Sequence, residues 1–257
     1  MPVPLDPSKY QADAFFQPQD FIGYIRGLGR LGSRPAPEAV ILSYQGSLLR
    51  FVESSRQVSH ADGYFGSQLS YLEETGGRVA IAGRFGVGSA AAAVMLEELI
   101  AFGVKRFISI GTAGSLVADL PPGSLLLCDG ALRDEGTSYH YLPEGGLARP
   151  SSRLTDALGQ ALTAQGLAHR RGPTWTTDAI YRETAGEVER FRTEGARVVE
   201  MEASALFSVA TYRGVELAAC FSVSDTLAEL AWRPEFHAET TEDGLKRLFE
   251  AALSVLS

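Results

Sequence analysis

The sequence predicts an α/β fold, a single domain with a central mixed twisted sheet flanked by helices on both faces. From residue 39 onward, short apolar runs alternate with longer stretches of helix-forming residues. Several of those runs end in glycine or in a polar cluster, as strands do when they feed a ligand-facing rim. The chain has 257 residues, 45% hydrophobic and 21% charged, which supports a packed core and excludes a disordered protein. No internal repeat or low-complexity linker divides it. The expected organisation is an irregular N-terminal arm over 1–38 and one α/β domain over 39–257.

The arm is rich in proline and polar residues, has room for one short helix, and ends at Pro35-Ala36-Pro37. Ala39-Val40-Ile41-Leu42 is the first strand-like run, and Arg78-Val79-Ala80-Ile81-Ala82 is the second. Residues 89–102 carry Ala, Met, Leu and Glu, with Gly103 placed to stop a helix. Phe107-Ile108-Ser109-Ile110 and Leu125-Leu126-Leu127-Cys128-Asp129 are further strands. An amphipathic helix is expected over 154–165, closed by Gly166. Arg197-Val198-Val199-Glu200 feeds a helix over 203–212 that Gly214 closes, Ala218–Val223 is another strand, and 241–256 is a terminal helix.

Charge and cysteine content narrow the function classes. With 23 Lys+Arg against 31 Asp+Glu, the net charge is −8, and no basic block offers a phosphate-binding face for a nucleic-acid polymer. Small anionic ligands stay open. Cys128 and Cys220 cannot form a disulfide framework, which points to a reducing, cytoplasmic setting. The start, Met1-Pro2-Val3-Pro4-Leu5-Asp6-Pro7, lacks the basic and apolar regions of a signal peptide. The most apolar stretch, 89–102, holds Glu97 and Glu98 and is too short for a membrane span. No membrane partner is expected.

Four strand-to-loop junctions could carry chemistry. Gly83-Arg84-Phe85-Gly86-Val87-Gly88-Ser89 offers a backbone that can approach a ligand and free amides for an anion; it also reads as a plain tight turn. Ser109-Ile110-Gly111-Thr112-Ala113-Gly114-Ser115 offers amides and hydroxyls, or simply ends a strand. Val199-Glu200-Met201-Glu202-Ala203 places two carboxylates around a methionine. These could accept bonds from vicinal hydroxyls with the thioether packed on a sugar, or they could be acids at a helix start. Ser222-Val223-Ser224-Asp225-Thr226 closes an apolar strand with an aspartate, either a general acid or a helix cap.

Together these junctions resemble the nucleoside phosphorylase and nucleosidase superfamily, which includes purine nucleoside phosphorylase, uridine phosphorylase and methylthioadenosine nucleosidase. The segments that carry the likeness are GRFGVGSAAAAVMLEELIAFGVKRFISIGTAGSL (83–116), RDEGTSYHY (133–141), TWTTDAIYRET (174–184), VVEMEASALFSVA (198–210) and FSVSDTL (221–227). The resemblance implies cleavage of a nucleoside N-glycosidic bond by phosphate or water, through a cationic sugar and a base gaining negative charge. It implies that Glu202 accepts bonds from the ribose hydroxyls, Met201 packs on the sugar and Glu200 supports them. Asp225 falls where purine-cleaving members protonate N7, so a purine is favoured.

For the base, the resemblance points to Ile180 and Tyr181 as stacking residues, with Arg182 and Thr177 as polar contacts. For phosphate it leaves Gly46, Arg50, Gly86 and Thr112, with Arg84 and Arg133 as further candidates. His140 either faces the pocket or is structural. Phosphorolytic members carry an arginine where this chain has Ser109, and a Gly-Asp-Pro loop with an arginine where it reads Ser43-Tyr44-Gln45-Gly46-Ser47-Leu48-Leu49-Arg50. Arginine's planar fork suits a phosphate dianion, and serine has no charge to offer. The expected activity is phosphorolysis giving free base and pentose 1-phosphate. A hydrolytic nucleosidase and a nucleoside-binding protein without turnover are the alternatives. No cofactor or metal is expected, since His60, His169 and His237 show no ligand spacing; inorganic phosphate would be a co-substrate. The resemblance further implies a homo-oligomer, a dimer or a hexamer of dimers.

Overall fold

A computed structural model describes residues 6–257. In chain order the first elements are α1 (Pro18–Gly27), β1 (Ala39–Ser43), α2 (Gly46–Ser55), β2 (Val58–His60), β3 (Leu69–Leu72) and β4 (Val79–Ala82). Next come α3 (Ser89–Phe102), β5 (Arg106–Ser115), β6 (Leu125–Asp134), α4 (Ser152–Ala164) and β7 (His169–Thr177). The chain ends with α5 (Ala185–Thr193), β8 (Val198–Glu200), α6 (Ala203–Arg213), β9 (Glu216–Thr226), β10 (Arg233–Pro234) and α7 (Glu239–Leu256).

Strand alternation divides the core. Val40 and Leu42 of β1 pack into the layer that also holds Ile22 of α1, Leu96 of α3 and Phe207 of α6. Ala39 and Ile41 face the other layer, with Leu48 of α2, Leu158 of α4 and Leu248 of α7. Helices therefore cover both faces, and the sheet is mixed, as the sequence predicts. A smaller cluster sits under α5, where Trp175 stacks on Phe191 with ring centroids 4.4 Å apart.

The sheet runs in the order β10-β9-β6-β7-β8-β5-β1-β4-β3-β2, and β9 also pairs with β5. Strands β5, β9, β6, β7 and β8 thus close into a ring, which leaves those strands no free edge. The ring closes because β5 is long enough to serve several partners. Residues 106–110 pair with β1 and Gly114 and Ser115 pair with β8, while opposite Ala113 and Gly114 the neighbouring β9 carries one extra residue, Ser224, as a bulge.

The N-terminal arm carries the short helix that the sequence allowed, and that helix is packed into the domain. Helix α1 buries Ile22 and Ile25 against α3, and Leu31 joins the same core. A bidentate ion pair between Arg213 of α6 and Glu97 of α3, at 2.7 and 2.9 Å, is extended when Arg213 donates to Gln17 at 3.0 Å. Part of 1–38 is therefore core. Among the described residues no helix is long and apolar enough to cross a membrane.

Candidate active site

The ends of β1, β5, β8 and β9 meet at a cavity of about 660 Å³. From β1 and β5 come Tyr44, Gln45, Thr112, Ala113 and Gly114; from the β8–α6 junction come Glu200, Met201 and Glu202; from β9 comes Asp225. Three of the four junctions singled out in the sequence thus line the cavity, the first adds only Val87, and the parallel pairing of β5 with β1 and β9 and the antiparallel β8 bring them together with the loop after β1.

Glu200 is buried and fully engaged. Its Oε1 accepts from the Thr176 hydroxyl at 2.5 Å, and its Oε2 accepts from the amides of Glu202 and Ala203, both at 2.8 Å. It thereby fixes the start of α6 and the loop that presents Met201 and Glu202. Glu202 is also buried, and its Oε1 accepts from the amide of Gly88 at 2.6 Å. Burial pushes both carboxyls above the usual carboxylate range, and the neighbouring charge of Glu200 adds to the effect on Glu202. The Gly88 bond places the protein's own carboxylate at the N-terminus of α3, where the glycine-rich loop was expected to hold an external anion. Gly86 does not line the cavity.

Asp225 enters the same cavity from the end of β9. Its Oδ1 accepts from the Ser224 hydroxyl at 2.8 Å and its Oδ2 from the Trp232 indole at 3.1 Å. Burial raises its pKa, and these two donors pull it back. Glu183 lines the same cavity and has no protein hydrogen bond raising or lowering its proton affinity; burial, then the charge of Asp225, lifts it to about 7. Sequence reasoning stopped one residue short of Glu183, naming Arg182 instead. The only local signal was an acid beside the stacking pair Ile180-Tyr181.

Among the other expected base contacts, Ile180 and Tyr181 line the cavity and Tyr181 is almost fully exposed at its mouth. Arg182 and Thr177 do not line it. Residues 180–182 form one 3-10 turn, which sends Arg182 outward, and the buried Thr177 hydroxyl accepts from the Ala179 amide at 3.2 Å to cap that turn.

Beyond β1 and along β5, Gln45 Nε2 donates to the Thr112 hydroxyl at 3.0 Å, and the Tyr44 and Ser109 hydroxyls are 3.1 Å apart. The Gln45 side-chain Oε1 is buried without a protein partner among the described residues. Gly46 and Arg50 fall in helix α2, not in a loop, and lie outside the cavity lining. They are adjacent all the same: the Arg50 guanidinium reaches back to within 3.2 Å of where a Cβ on Gly46 would stand. Arg84 is engaged by Glu53 at 2.7 Å, and Arg133 donates to Ser138 and to the carbonyls of Leu142 and Pro143. Neither reaches the site. No Lys or Arg among the described residues lines the cavity. His140 lines a different cavity, between the arm and α6, with Phe15, Phe16 and Tyr212.

Comparison with known proteins agrees with this geometry. A 143-residue segment, 55% of the chain, is 34% identical to a guanosine phosphorylase of Halorubrum lacusprofundi and spans 59% of that protein. Over 80% of the chain, identity is 26% to a uridine phosphorylase of Haemophilus influenzae, covering 84% of it. A DeoD-type purine nucleoside phosphorylase of Bacillus cytotoxicus is 29% identical over 79% of the chain and 84% of its own length. By fold, the chain superposes on a purine nucleoside phosphorylase from Toxoplasma gondii in complex with immucillin-H with a TM-score of 0.72 and 19% identity, covering 86% of this chain and 90% of that one. An AMP nucleosidase from Bacteroides thetaiotaomicron superposes with a TM-score of 0.71 and 24% identity, covering 93% and 97%. Residues 39–257, which contain every wall of the cavity, match the phosphorylase superfamily, and the chain belongs to that family of nucleoside phosphorylases and nucleosidases.

Proposed function

We propose that this protein cleaves the N-glycosidic bond of a purine nucleoside with phosphate as the attacking group, giving free base and pentose 1-phosphate. The observation that carries the reading is one cavity lined by two groups of acids, Glu200 and Glu202 around Met201 at the β8–α6 junction, and Asp225 with Glu183 at the end of β9 and after the 180–182 turn. Glu202 accepts hydrogen bonds from the ribose hydroxyls while Met201 packs on the sugar. The carboxylates beside them favour positive charge on the ring as the C1′–N9 bond lengthens. The bonding electron pair moves into the base, and Asp225, its proton held more firmly by burial, passes that proton to N7. Glu183 offers an acceptor to an N–H on the base edge. Ile180 and Tyr181 cover the ring.

Phosphate would enter beside Gln45 and Thr112, next to the first turn of α2, onto which the Arg50 guanidinium folds back at Gly46 from outside the cavity lining. The phosphorylase names of the relatives support this choice. Hydrolysis is the second reading, and a specific observation favours it: Ser109 and Tyr44 fill the usual arginine position with a neutral pair, and the cavity lining holds no cation. Base release from a purine and pyrimidine nucleoside panel, with and without phosphate, tests both. Phosphate-dependent release of purine with pentose 1-phosphate, lost in Arg50→Ala, is the expected result. Free pentose without phosphate establishes hydrolysis, and no release from any nucleoside defeats both readings.

A further inference from the structure

The segment after Asp225 folds back over the site. Strand β9 ends at Thr226, the chain turns, and β10 returns antiparallel so that Pro234 pairs opposite Asp225. Leu230 takes a φ of 55° in the turn, a conformation uncommon outside glycine. The return is pinned by the Trp232–Asp225 bond, by the Glu235 amide donating to the Ser224 carbonyl at 2.8 Å, and by an Arg233–Glu229 ion pair. Trp232 and Phe236 line the cavity, yet 62% and 43% of their surfaces are exposed. Two large aromatic side chains with rings 6.4 Å apart therefore stand uncovered at the end where Asp225 and Glu183 project.

We infer that Trp232 is the positioning residue for Asp225 and the roof of the base slot, its indole N–H fixing the carboxyl while its ring face covers the bound base. This rests on the purine-cleavage reading above. The bond geometry gives the positioning role. Ser224 and Trp232 each occupy one carboxyl oxygen, so the side chain cannot rotate without breaking a buried hydrogen bond. Its proton balance has identifiable contributors. Glu183 from the 180–182 turn and Glu200 and Glu202 from the β8–α6 junction share the cavity and favour the neutral acid; the Trp232 and Ser224 donors favour the anion. Arg233, the strap's cation, is committed to Glu229. The roof role follows from the exposed apolar face, since a planar base seated between Tyr181 and Trp232 removes both from water.

Two variants separate the roles. Trp232→Phe keeps an aromatic roof and deletes the donor. Its alkaline limb of kcat for a purine nucleoside is expected to move up by roughly one pH unit, with KM little changed. Trp232→Ala removes both, and KM is expected to rise roughly tenfold or more. Tryptophan emission gives a readout independent of turnover. Trp175 is buried and hydrogen-bonded to Asp134, so a shift of emission to shorter wavelength on titration with a purine nucleoside reports Trp232, and Trp232→Phe abolishes it. An unshifted pH limb in Trp232→Phe, an unchanged KM in Trp232→Ala, or emission that ignores the nucleoside overturns the inference. A wild type that turns over no nucleoside strikes the cleavage reading instead, and the emission titration still decides whether Trp232 roofs a bound base.

Discussion

Glu202 shows how one side chain changes the meaning of a motif. The glycine-rich loop at 83–89 is shaped to present amides, and its Gly88 amide is given to a carboxylate 114 residues away. Two predictions belong at this scale. Asp225→Asn keeps the size and the Ser224 and Trp232 contacts but cannot act as an acid; purine release should slow by about 10²–10⁴-fold, measured as kcat on a purine nucleoside. Glu202 is held above its ordinary value of 4.5 by burial and by Glu200. A carboxyl that binds its proton more tightly folded than unfolded stabilises the fold at low pH and loses that contribution as pH rises through its folded value. Glu202→Gln should therefore match the wild type in Tm near about pH 5 and exceed it near about pH 9, while losing nucleoside cleavage at both. Equal Tm curves would remove the buried charge from the account.

At the scale of elements, legibility in the sequence followed local signal. Helix α3 was readable because Ala, Leu, Met and Glu run from Ser89 to a stop at Gly103, and β9 because Leu217 to Phe221 is continuously apolar. Helix α2 was missed: it opens on Gly46-Ser47 without a side-chain cap, and only Leu48, Leu49 and Val52 mark its buried stripe. Strand β7 was missed for a different reason. His169-Arg170-Arg171-Gly172-Pro173 has poor strand character, and the segment is extended because β6 and β8 pair with it on either side. The start of α3 also carries a prediction. Gly88 has φ 93° and ψ 159°, a region only glycine occupies freely, and its amide holds Glu202. Gly88→Ala should cost about 1–3 kcal/mol of stability by denaturant unfolding and should raise KM for nucleoside. A variant with parental stability and KM would show that the loop adapts.

Two long-range features define the whole molecule: the closed ring of β5, β9, β6, β7 and β8, and the docking of the N-terminal helix onto α3. The ring brings strand ends from both directions to one cavity, so Glu200, Met201 and Glu202 share it with Asp225 and Glu183. Docking of α1 makes the arm part of the folding unit. Ile22 is 1% exposed, and Ile22→Ala should destabilise the protein by about 2–4 kcal/mol, read as a lower urea midpoint with a single transition. A separate early transition that leaves the main one in place would instead make the arm an independent appendage.

Glu200, Met201, Glu202 and Asp225 were legible in the sequence because each lies where a local pattern ends, an apolar strand running into acids, and that pattern needs no partner to be seen. The alternation of strand and helix set the layers in the same way, since periodicity acts over a few residues. The tertiary structure alone decided that Glu183 and Trp232 stand beside Asp225, that Gln45 meets Thr112, and that Arg84 and Arg133 turn away. These contacts depend on strand register and on how β5 passes from β1 to β8 along its length, and register is a property of paired chains rather than of any one segment.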